Sequence, residues 1–407
     1  MPYTEIKAVK GVRNDVGPER FASGDLVYAS NIDIDETGKC NSRLGTTTLY
    51  AGAAHSAWAD GSQAFFVQGG NLNRFAPGTA PSPIAPVTGP RVAYANINGP
   101  VYWTDTLTNG VVVNGVNKPW GKVVPAAPIP TAVAGGMPSG TYLCTMTYLD
   151  AAGAESGAPA STSITLAGVS SPGDDYPLGG GISFSNLSIS SDTTVVSKNV
   201  YISAPNGDLP LLVATIPNAQ ATFSMTEMSQ QTIPVRTQFW GPPPPGQVVA
   251  YFNGRAYVAS GNFLWYSQPY EFELFDLRTG FIPFSASIQT ISVVADGIYV
   301  GTMIRTVFLS GMEPDAFISH TVSPLGTILG TEVSVPADAI GMVDIEGSQG
   351  EGMTVLWMST RGVVVGTDGG LVRDLTVSRF IPPQGLTHGG AFLKYRSQTP
   401  QYVVSLS

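Results

Sequence analysis

The class of fold is decided by residues 253–267, NGRAYVASGNFLWYS. Asn253-Gly254 and Gly261-Asn262 are turn pairs, and each precedes a short run rich in aromatic and β-branched residues. Such a pattern predicts a β-hairpin. About forty residues later, 296–311, DGIYVGTMIRTVFLSG, repeats it. A period of roughly 40 to 50 residues built from short strands is typical of β-propeller blades.

Composition supports an all-β protein. The chain has 47 Gly and 32 Pro among 407 residues, and only 12% of its residues are charged. Short strands joined by tight turns have this composition, whereas long helices require more of the strong helix formers. We therefore expect an all-β fold.

The hairpin pattern recurs along most of the chain. Hairpins are predicted at positions centred near Gly69, Asn109, Gly261, Met303, Arg361 and Ser397. Without an inserted segment of about 105 residues, some 300 residues remain, and a blade of about 50 residues gives six blades. We expect a β-propeller of about six blades, closed into a ring by terminal strands because closure removes exposed sheet edges.

A different pattern begins near Ala126. The strand Gly140–Tyr148 alternates strictly, and later strands follow at intervals of about 10 to 15 residues, as in a small β-sandwich of the fibronectin-III or immunoglobulin kind. The predicted domains are an extended N-terminal arm (1–24), an N-terminal propeller segment (25–125), an inserted β-sandwich (126–238), and a C-terminal propeller segment (239–407), which includes a polyproline linker (242–245).

Charge and cysteine content restrict the possible partners. The net charge of −9 argues against a general nucleic-acid binder, which needs a basic surface for phosphates. Cys40 and Cys144 lie in different predicted domains, so we expect free thiols rather than a disulfide. We see no signal peptide and no apolar run of the roughly 18 residues that a membrane span requires, and we expect synthesis in the host cytoplasm.

Candidate residues for chemistry are few. His55, His320 and His388 have no Cys, Glu or His at metal-ligand spacing. Asp33 and Asp35 lie at alternate positions, as in a calcium loop, but alternation with Ile on a strand explains the same letters. No nucleophile elbow, phosphate loop or paired carboxylates are found. We predict no catalytic, cofactor-binding or metal residue, no cofactor, and no enzyme activity.

Several segments together resemble one family of phage proteins. They are Gly11–Asn14, Asn31–Gly38, Gly254–Val258, Leu264–Pro269, Asp296–Val300 and Trp357–Gly362. At the level of architecture and over most of its length, the chain resembles the tail nozzle (tail tube hub) proteins of short-tailed bacteriophages, which combine a β-propeller with inserted β-domains.

The resemblance implies a structural virion protein at the distal end of the tail. It implies a hexameric ring that contacts the tail adaptor protein and tail fibres, and a lumen through which double-stranded DNA passes without specific binding. An acidic wall suits that passage. We also expect the arm, which has few apolar residues, to become ordered by lying on another chain.

Two other classes of function stay open from the sequence. A receptor-binding or fibre-attachment propeller would use exposed aromatic residues such as Trp103, Trp120 or Tyr270, although blade aromatics usually fill the space between sheets. A polysaccharide-acting propeller enzyme is the third class.

Overall fold

A computed structural model describes residues 8–35, 37–43, 45, 51–75, 79–168, 178–228, 232–337, 352–376, 378–396 and 399–407. These residues form β-strands, turns and short 3-10 segments, and they contain no α-helix. Accordingly, no helix among the described residues has the length and hydropathy needed to cross a bilayer. The prediction of an all-β protein is confirmed.

The N-terminal region contains four short strands. They are β1 (Gly11–Val12), β2 (Asp25–Leu26), β3 (Ile32–Ile34) and β4 (Cys40–Ser42). β1 pairs with β2 in parallel, and β3 pairs with β4 in an antiparallel hairpin. The arm is therefore folded back on itself at β1 and β2 rather than simply extended.

Two four-stranded antiparallel sheets follow, and in both of them each strand pairs with the next along the chain. Sheet 1 consists of β5 (His55–Ala59), β6 (Ala64–Gln68), β7 (Asn71–Phe75) and β8 (Ser82–Pro86). Sheet 2 consists of β9 (Ala93–Asn96), β10 (Val101–Thr104), β11 (Asn109–Val113) and β12 (Val116–Lys118). The hairpins predicted near Gly69 and Asn109 lie in these sheets.

The inserted segment folds as two sheets around one core. Its strands are β13 (Pro130–Pro138), β14 (Gly140–Asp150), β15 (Thr162–Leu166), β16 (Leu178–Phe184), β17 (Val195–Ser203), β18 (Pro210–Pro217) and β19 (Phe223–Met225). One sheet has the order β13-β16-β19 and the other β15-β14-β17-β18. Tyr142 and Met146 of β14 pack with Ile182 and Phe184 of β16 in that core. Strict alternation along β14 places these side chains inward.

The meander pattern resumes after the insert. Sheet 3 contains β20 (Trp240–Gly241), β21 (Val248–Phe252), β22 (Arg255–Ser260), β23 (Phe263–Gln268), β24 (Glu271–Asp276) and β25 (Phe281–Pro283). Sheet 4 contains β26 (Ile288–Val294), β27 (Gly297–Thr302), β28 (Thr306–Ser310) and β29 (Ile318–Ser323). Sheet 5 contains β30 (Val333–Pro336), β31 (Met353–Ser359), β32 (Gly362–Gly366) and β33 (Val372–Asp374), and sheet 6 contains β34 (Gly389–Arg396) and β35 (Thr399–Leu406).

Turn chemistry explains why the central hairpins form. Asn253 and Gly254 both have positive φ, 43° and 76°, and they connect Phe252 to its partner Arg255. A two-residue hairpin turn of this kind matches the twist of its strands, and Asn-Gly tolerates the left-handed backbone that it requires. The local sequence therefore fixes the register between β21 and β22.

Buried side chains join each sheet to the next in chain order. Separate apolar clusters link sheets 1 and 2, 2 and 3, 3 and 4, 4 and 5, and 5 and 6. Aromatic residues dominate these contacts: Tyr299 of sheet 4 lies 5.4 Å from Trp357 of sheet 5 between ring centroids. Burial of one such large side chain contributes roughly 1.5–3 kcal/mol, so the stacked faces hold the row of sheets together.

The row of sheets curves back on itself. Arg91, just before β9, donates from Nη1 to the carbonyl oxygen of Gln247 at 3.1 Å, at the start of sheet 3. Its Nη2 lies 3.8 Å from Oε1 of Glu332, just before β30. Sheets 2 and 5, which are separated by two sheets along the row, therefore meet near the start of their first strands, as they would not in a straight open row.

Three finer predictions have different outcomes. Within the described residues, β35 pairs only with β34, so closure of the ring by terminal strands stays a prediction, as do the six blades and the domain bounds. A single strand from Leu26 to Ile34, suggested by its apolar alternation, is wrong because Asn31 adopts a φ of 55° and interrupts it. Both cysteines are free, and burial raises the pKa of Cys144 to about 12.

Candidate assembly surfaces

The histidines singled out in the sequence lie apart from one another. His55, His320 and His388 are all exposed, at the start of β5, on β29 and just before β34. Within the described ranges, no three His, Cys, Asp or Glu side chains are grouped closely enough to hold a metal ion. The structure therefore does not bring these histidines into one site.

The carboxylates of the Asp33 and Asp35 segment are engaged by protein groups. Oδ1 of Asp35 accepts hydrogen bonds from the backbone N–H groups of Thr37 and Lys39, each at 3.0 Å, and from the Thr37 hydroxyl at 2.6 Å. The hydrogen bond from that hydroxyl lowers the pKa of Asp35. Asp33 forms an ion pair with Arg43 at 3.1 Å. A calcium ion would have to compete with these contacts.

The aromatic residues considered for recognition divide into two groups. Trp103 and Trp120 are buried, and their indole N–H groups donate to Asn117 Oδ1 and to the Phe272 carbonyl. Tyr270, by contrast, is 76% exposed. The two tryptophans therefore belong to the core, and only Tyr270 could contact a partner.

The N-terminal arm lies on its own chain. Arg13 pairs with Asp15 at 2.7 Å and with Asp25 at 3.2 Å, and Arg379 pairs with Asp25 at 3.4 Å. The side chain of Asn14 donates to the carbonyl of Ile381 at 2.8 Å and accepts from its N–H at 2.7 Å. Charged and amide groups rather than apolar burial thus hold the arm. The expectation that the arm needs another chain to become ordered is wrong for these residues.

The ion pairs of the arm shift the pKa values of its carboxyl groups. The Arg13 guanidinium lowers the pKa of Asp15 by its hydrogen bond. Burial alone would raise the pKa of Asp25, but the Ala22 N–H, Arg13 and Arg379 outweigh it, so this pKa is also lowered. Both groups are therefore held in the ionised form that the arm requires.

The inserted segment presents an uncovered strand. Residues 131–136 of β13 are all exposed, and β13 is the outer strand of its sheet, paired with β16 alone among the described strands. Its pairing with β16 is interrupted between Val133 and Met137, where the Gly136 N–H donates to the Thr226 carbonyl at 2.7 Å. Exposed apolar side chains lie beside it, with Ile129 at 70% and Leu178 at 56%. No charged residue occurs in 123–149. An uncharged exposed edge readily pairs with another chain, and natural proteins protect such edges unless they are used.

A buried lysine fixes the inserted segment to the sheets. Lys122 Nζ lies 2.9 Å from Asp150 Oδ2 at the end of β14 and 3.8 Å from Glu273 Oε2 on β24. Only 8% of its side chain is exposed. Because screening is weak at such a site, this contact helps to hold β14, and the sheets packed on it, against sheet 3.

The polyproline segment is packed rather than free. The Asn109 side chain donates to the Pro243 carbonyl at 2.9 Å, and the Ser260 hydroxyl donates to the Pro245 carbonyl at 2.8 Å. Gly246 and Thr104 exchange hydrogen bonds in both directions. The segment thus connects sheets 2 and 3 through its carbonyl groups.

Another buried polar network lies within the insert. Glu155 Oε1 accepts hydrogen bonds from Thr147, Asn199 and Tyr201. Burial, followed by the hydrogen bond to Glu155, raises the pKa of Tyr201. The hydrogen bonds among these groups stabilise the turn before β15. Because their polar atoms already have partners within the insert, they do not form a site open to a ligand.

Comparison with known proteins identifies no family. No protein-family model and no curated protein matches the sequence. Among solved structures, BBS1N in its complex with ARL6DN is similar at 10% identity and a TM-score of 0.30, over 88% of this chain and 93% of that one.

Two further solved structures show similarly low likeness. The extracellular domain of the putative one component system BT4673 from B. thetaiotaomicron gives 10% identity and a TM-score of 0.22, over 91% of this chain and 61% of that one. Saccharomyces cerevisiae Sqt1 is similar at 10% identity and a TM-score of 0.22, over 79% of this chain and 93% of that one. TM-scores this low do not establish a shared fold, so the description of the architecture rests on the strands and contacts given above.

Proposed function

We propose that the chain is a structural protein of a bacteriophage virion, a tail nozzle that forms the distal end of the tail tube. In this proposal, the curved row of sheets is a β-propeller of about six blades, closed by pairing between the ends of the chain, and the insert is a β-sandwich. Copies of the chain assemble into a hexameric ring attached to the tail adaptor protein and to tail fibres.

The uncovered strand β13 is the observation that carries the proposal. β13 is an outer strand of nine residues that carries no charge and has six consecutive exposed residues. Proteins that act as monomers usually protect such an edge with charges, prolines or a covering segment, because it readily pairs with another chain. A subunit of a closed ring, by contrast, must present a surface that its neighbour covers. Lys122 supports this role because it holds the insert against sheet 3.

The charge of the chain is compatible with a DNA channel. A net charge of −9 on each copy gives the ring a strongly negative field, which weakens phosphate binding and lets DNA pass. The same repulsion acts between copies, so contacts between subunits should use uncharged surfaces such as β13. The proposal thus assigns charged surfaces to the lumen and exterior, and uncharged surfaces to the interfaces.

Labelling of intact virions tests the proposal. Gold-labelled antibodies raised against the purified chain should bind at the distal tip of the tail in electron micrographs, and particles produced without the chain should have blunt tails and lose packaged DNA. Label on the capsid, or no label on virions, would contradict it. Label on detached fibres would instead favour the receptor-binding or fibre-attachment class, for which the exposed Tyr270 is the supporting observation.

A further inference from the structure

Sheets 3 and 4 leave an apolar groove between their outer strands. The groove has a volume of about 270 Å³. The lining residues that matter below are Phe284, Arg305, Val307, Leu309, Pro314 and Phe317, and Arg305 is the only charged residue among the described residues of the lining. In a chain with a net charge of −9, a groove lined in this way is an uncharged or weakly positive surface.

Both walls of the groove end in unpaired strand edges. Ser319 and Thr321 of β29 line one wall, and Ile282 of β25 lines the other. Among the described strands, β29 pairs only with β28 and β25 only with β23. The outer face of β29 is exposed, with Ile318 at 62%. An extended segment entering the groove can therefore make backbone hydrogen bonds to an edge and place side chains on the apolar floor.

Arg305 supplies a donor that has no acceptor. Its Nη2 donates to the Ser285 hydroxyl at 2.9 Å, but its Nε is buried and has no hydrogen-bond partner in the described residues. The buried Nε is out of reach of an incoming chain, but the Arg305 guanidinium lines the groove and can offer its outer N–H groups to a carbonyl oxygen of an extended segment. The groove thus favours an extended chain over a purely apolar side chain.

We propose that this groove binds strand β13 of a second copy of the chain, an inference that rests on the proposed ring function. The two surfaces are complementary because β13 is extended and uncharged, and the groove has free edges, an apolar floor and a donor for a carbonyl. They are also different surfaces of the same chain. Contacts of this head-to-tail kind generate a closed ring when the rotation between copies closes and an open filament when it does not, whereas a self-complementary patch gives a dimer.

Disulfide trapping tests the contact directly. In a Cys40→Ser background, which removes the exposed native thiol, Val133→Cys on β13 is combined with Thr321→Cys beside the groove. Mild oxidation should give a ladder of covalent oligomers in denaturing gels. The matched control combines Val133→Cys with Val116→Cys, which is 59% exposed on sheet 2, and should give at least about tenfold less cross-linked product.

Sedimentation of the same samples before oxidation distinguishes failure of the proposed contact between β13 and the groove from failure of the proposed ring. Oligomers without a ladder would overturn the contact but leave the ring intact. A monomer at all concentrations would overturn both. Arg305→Ala should reduce the rate of ladder formation several-fold without lowering the melting temperature, and an unaltered rate would remove Arg305 from the contact.

Discussion

The N-terminal arm, expected from the sequence to lie on another chain, and strand β13 of the insert differ in how well their polar groups are satisfied. The arm has few apolar residues, yet its charged groups pair with Asp25 and Arg379 of the same chain. β13 has exposed apolar neighbours and a free edge. The proposed assembly contact therefore rests on uncovered backbone and apolar surface rather than on a Gly/Pro-rich sequence.

Charges placed on β13 should weaken association between copies more than any other change considered below. Ala132→Lys with Ala134→Lys would bury two unpaired charges in the proposed contact, and they would also repel Arg305. We expect association to weaken at least about a hundredfold in sedimentation velocity, with an unchanged far-ultraviolet circular dichroism spectrum as evidence of an intact fold. The matched control is Val116→Lys on β12 with Leu107→Lys in the turn between β10 and β11, where both side chains are exposed. Equal association by the two double variants would show that β13 is not at the interface.

Release of the arm should have a smaller and local effect. Arg379→Ala removes the ion pair with Asp25 and leaves the hydrogen bonds of Asn14 in place. We expect limited proteolysis to cleave the arm roughly tenfold faster, since local opening governs cleavage, while the association state does not change. Loss of assembly in this variant would show that the arm, rather than β13 alone, contacts the neighbouring copy.

The buried carboxyl at the meeting point of sheets 2 and 5 gives a pH-dependent prediction. Burial raises the pKa of Glu332 despite Arg91, and Oε2 of Glu332 has no partner in the described residues. Protonation is thus favoured by folding. The favourable contribution is complete below the ordinary pKa of 4.5 and is lost as pH rises through the higher folded value.

Glu332→Gln keeps the shape of the side chain without the charge. We expect it to increase the free energy of unfolding by about 1 kcal/mol at pH 8, and by much less near pH 4, as measured by urea denaturation at both values. Tyr402, whose hydroxyl donates to the Thr331 carbonyl next to Glu332, provides the control as Tyr402→Phe. That variant should destabilise at both pH values. Destabilisation by Glu332→Gln at pH 8 would mean that the pair with Arg91 outweighs the cost of burial.

The arm should show the opposite and weakest pH dependence. The lowered pKa values of Asp15 and Asp25 mean that their stabilisation is present above the ordinary value of 3.8 and is lost as pH falls through the lower folded values. Hydrogen exchange at the N–H of Arg13, which donates to the Leu26 carbonyl, should lose protection only at the acid end of this range. Protection that is independent of pH, or already lost at pH 5, would rule out these ion pairs as the cause.

The sequence predicts local features of the fold well. Turn pairs such as Asn253-Gly254 and the alternation along β14 determine hairpins and strand faces through contacts within a few residues. The pairing of Arg91 with Glu332 and of Asp25 with Arg379 joins residues far apart in the chain, and no periodicity encodes such pairs. Strand β13 was missed because its prolines and glycines suggest a loop, although the absence of charge from 123 to 149 was a usable signal.

Native mass spectrometry of the purified chain, with single-particle images of the same sample, would reveal ring assembly through β13. We expect a closed ring with six times the 42.6 kDa mass of the chain, in which β13 of each copy lies against sheets 3 and 4 of the next. A 42.6 kDa monomer at micromolar concentration, or a two-fold dimer joined through β13 alone, would contradict it.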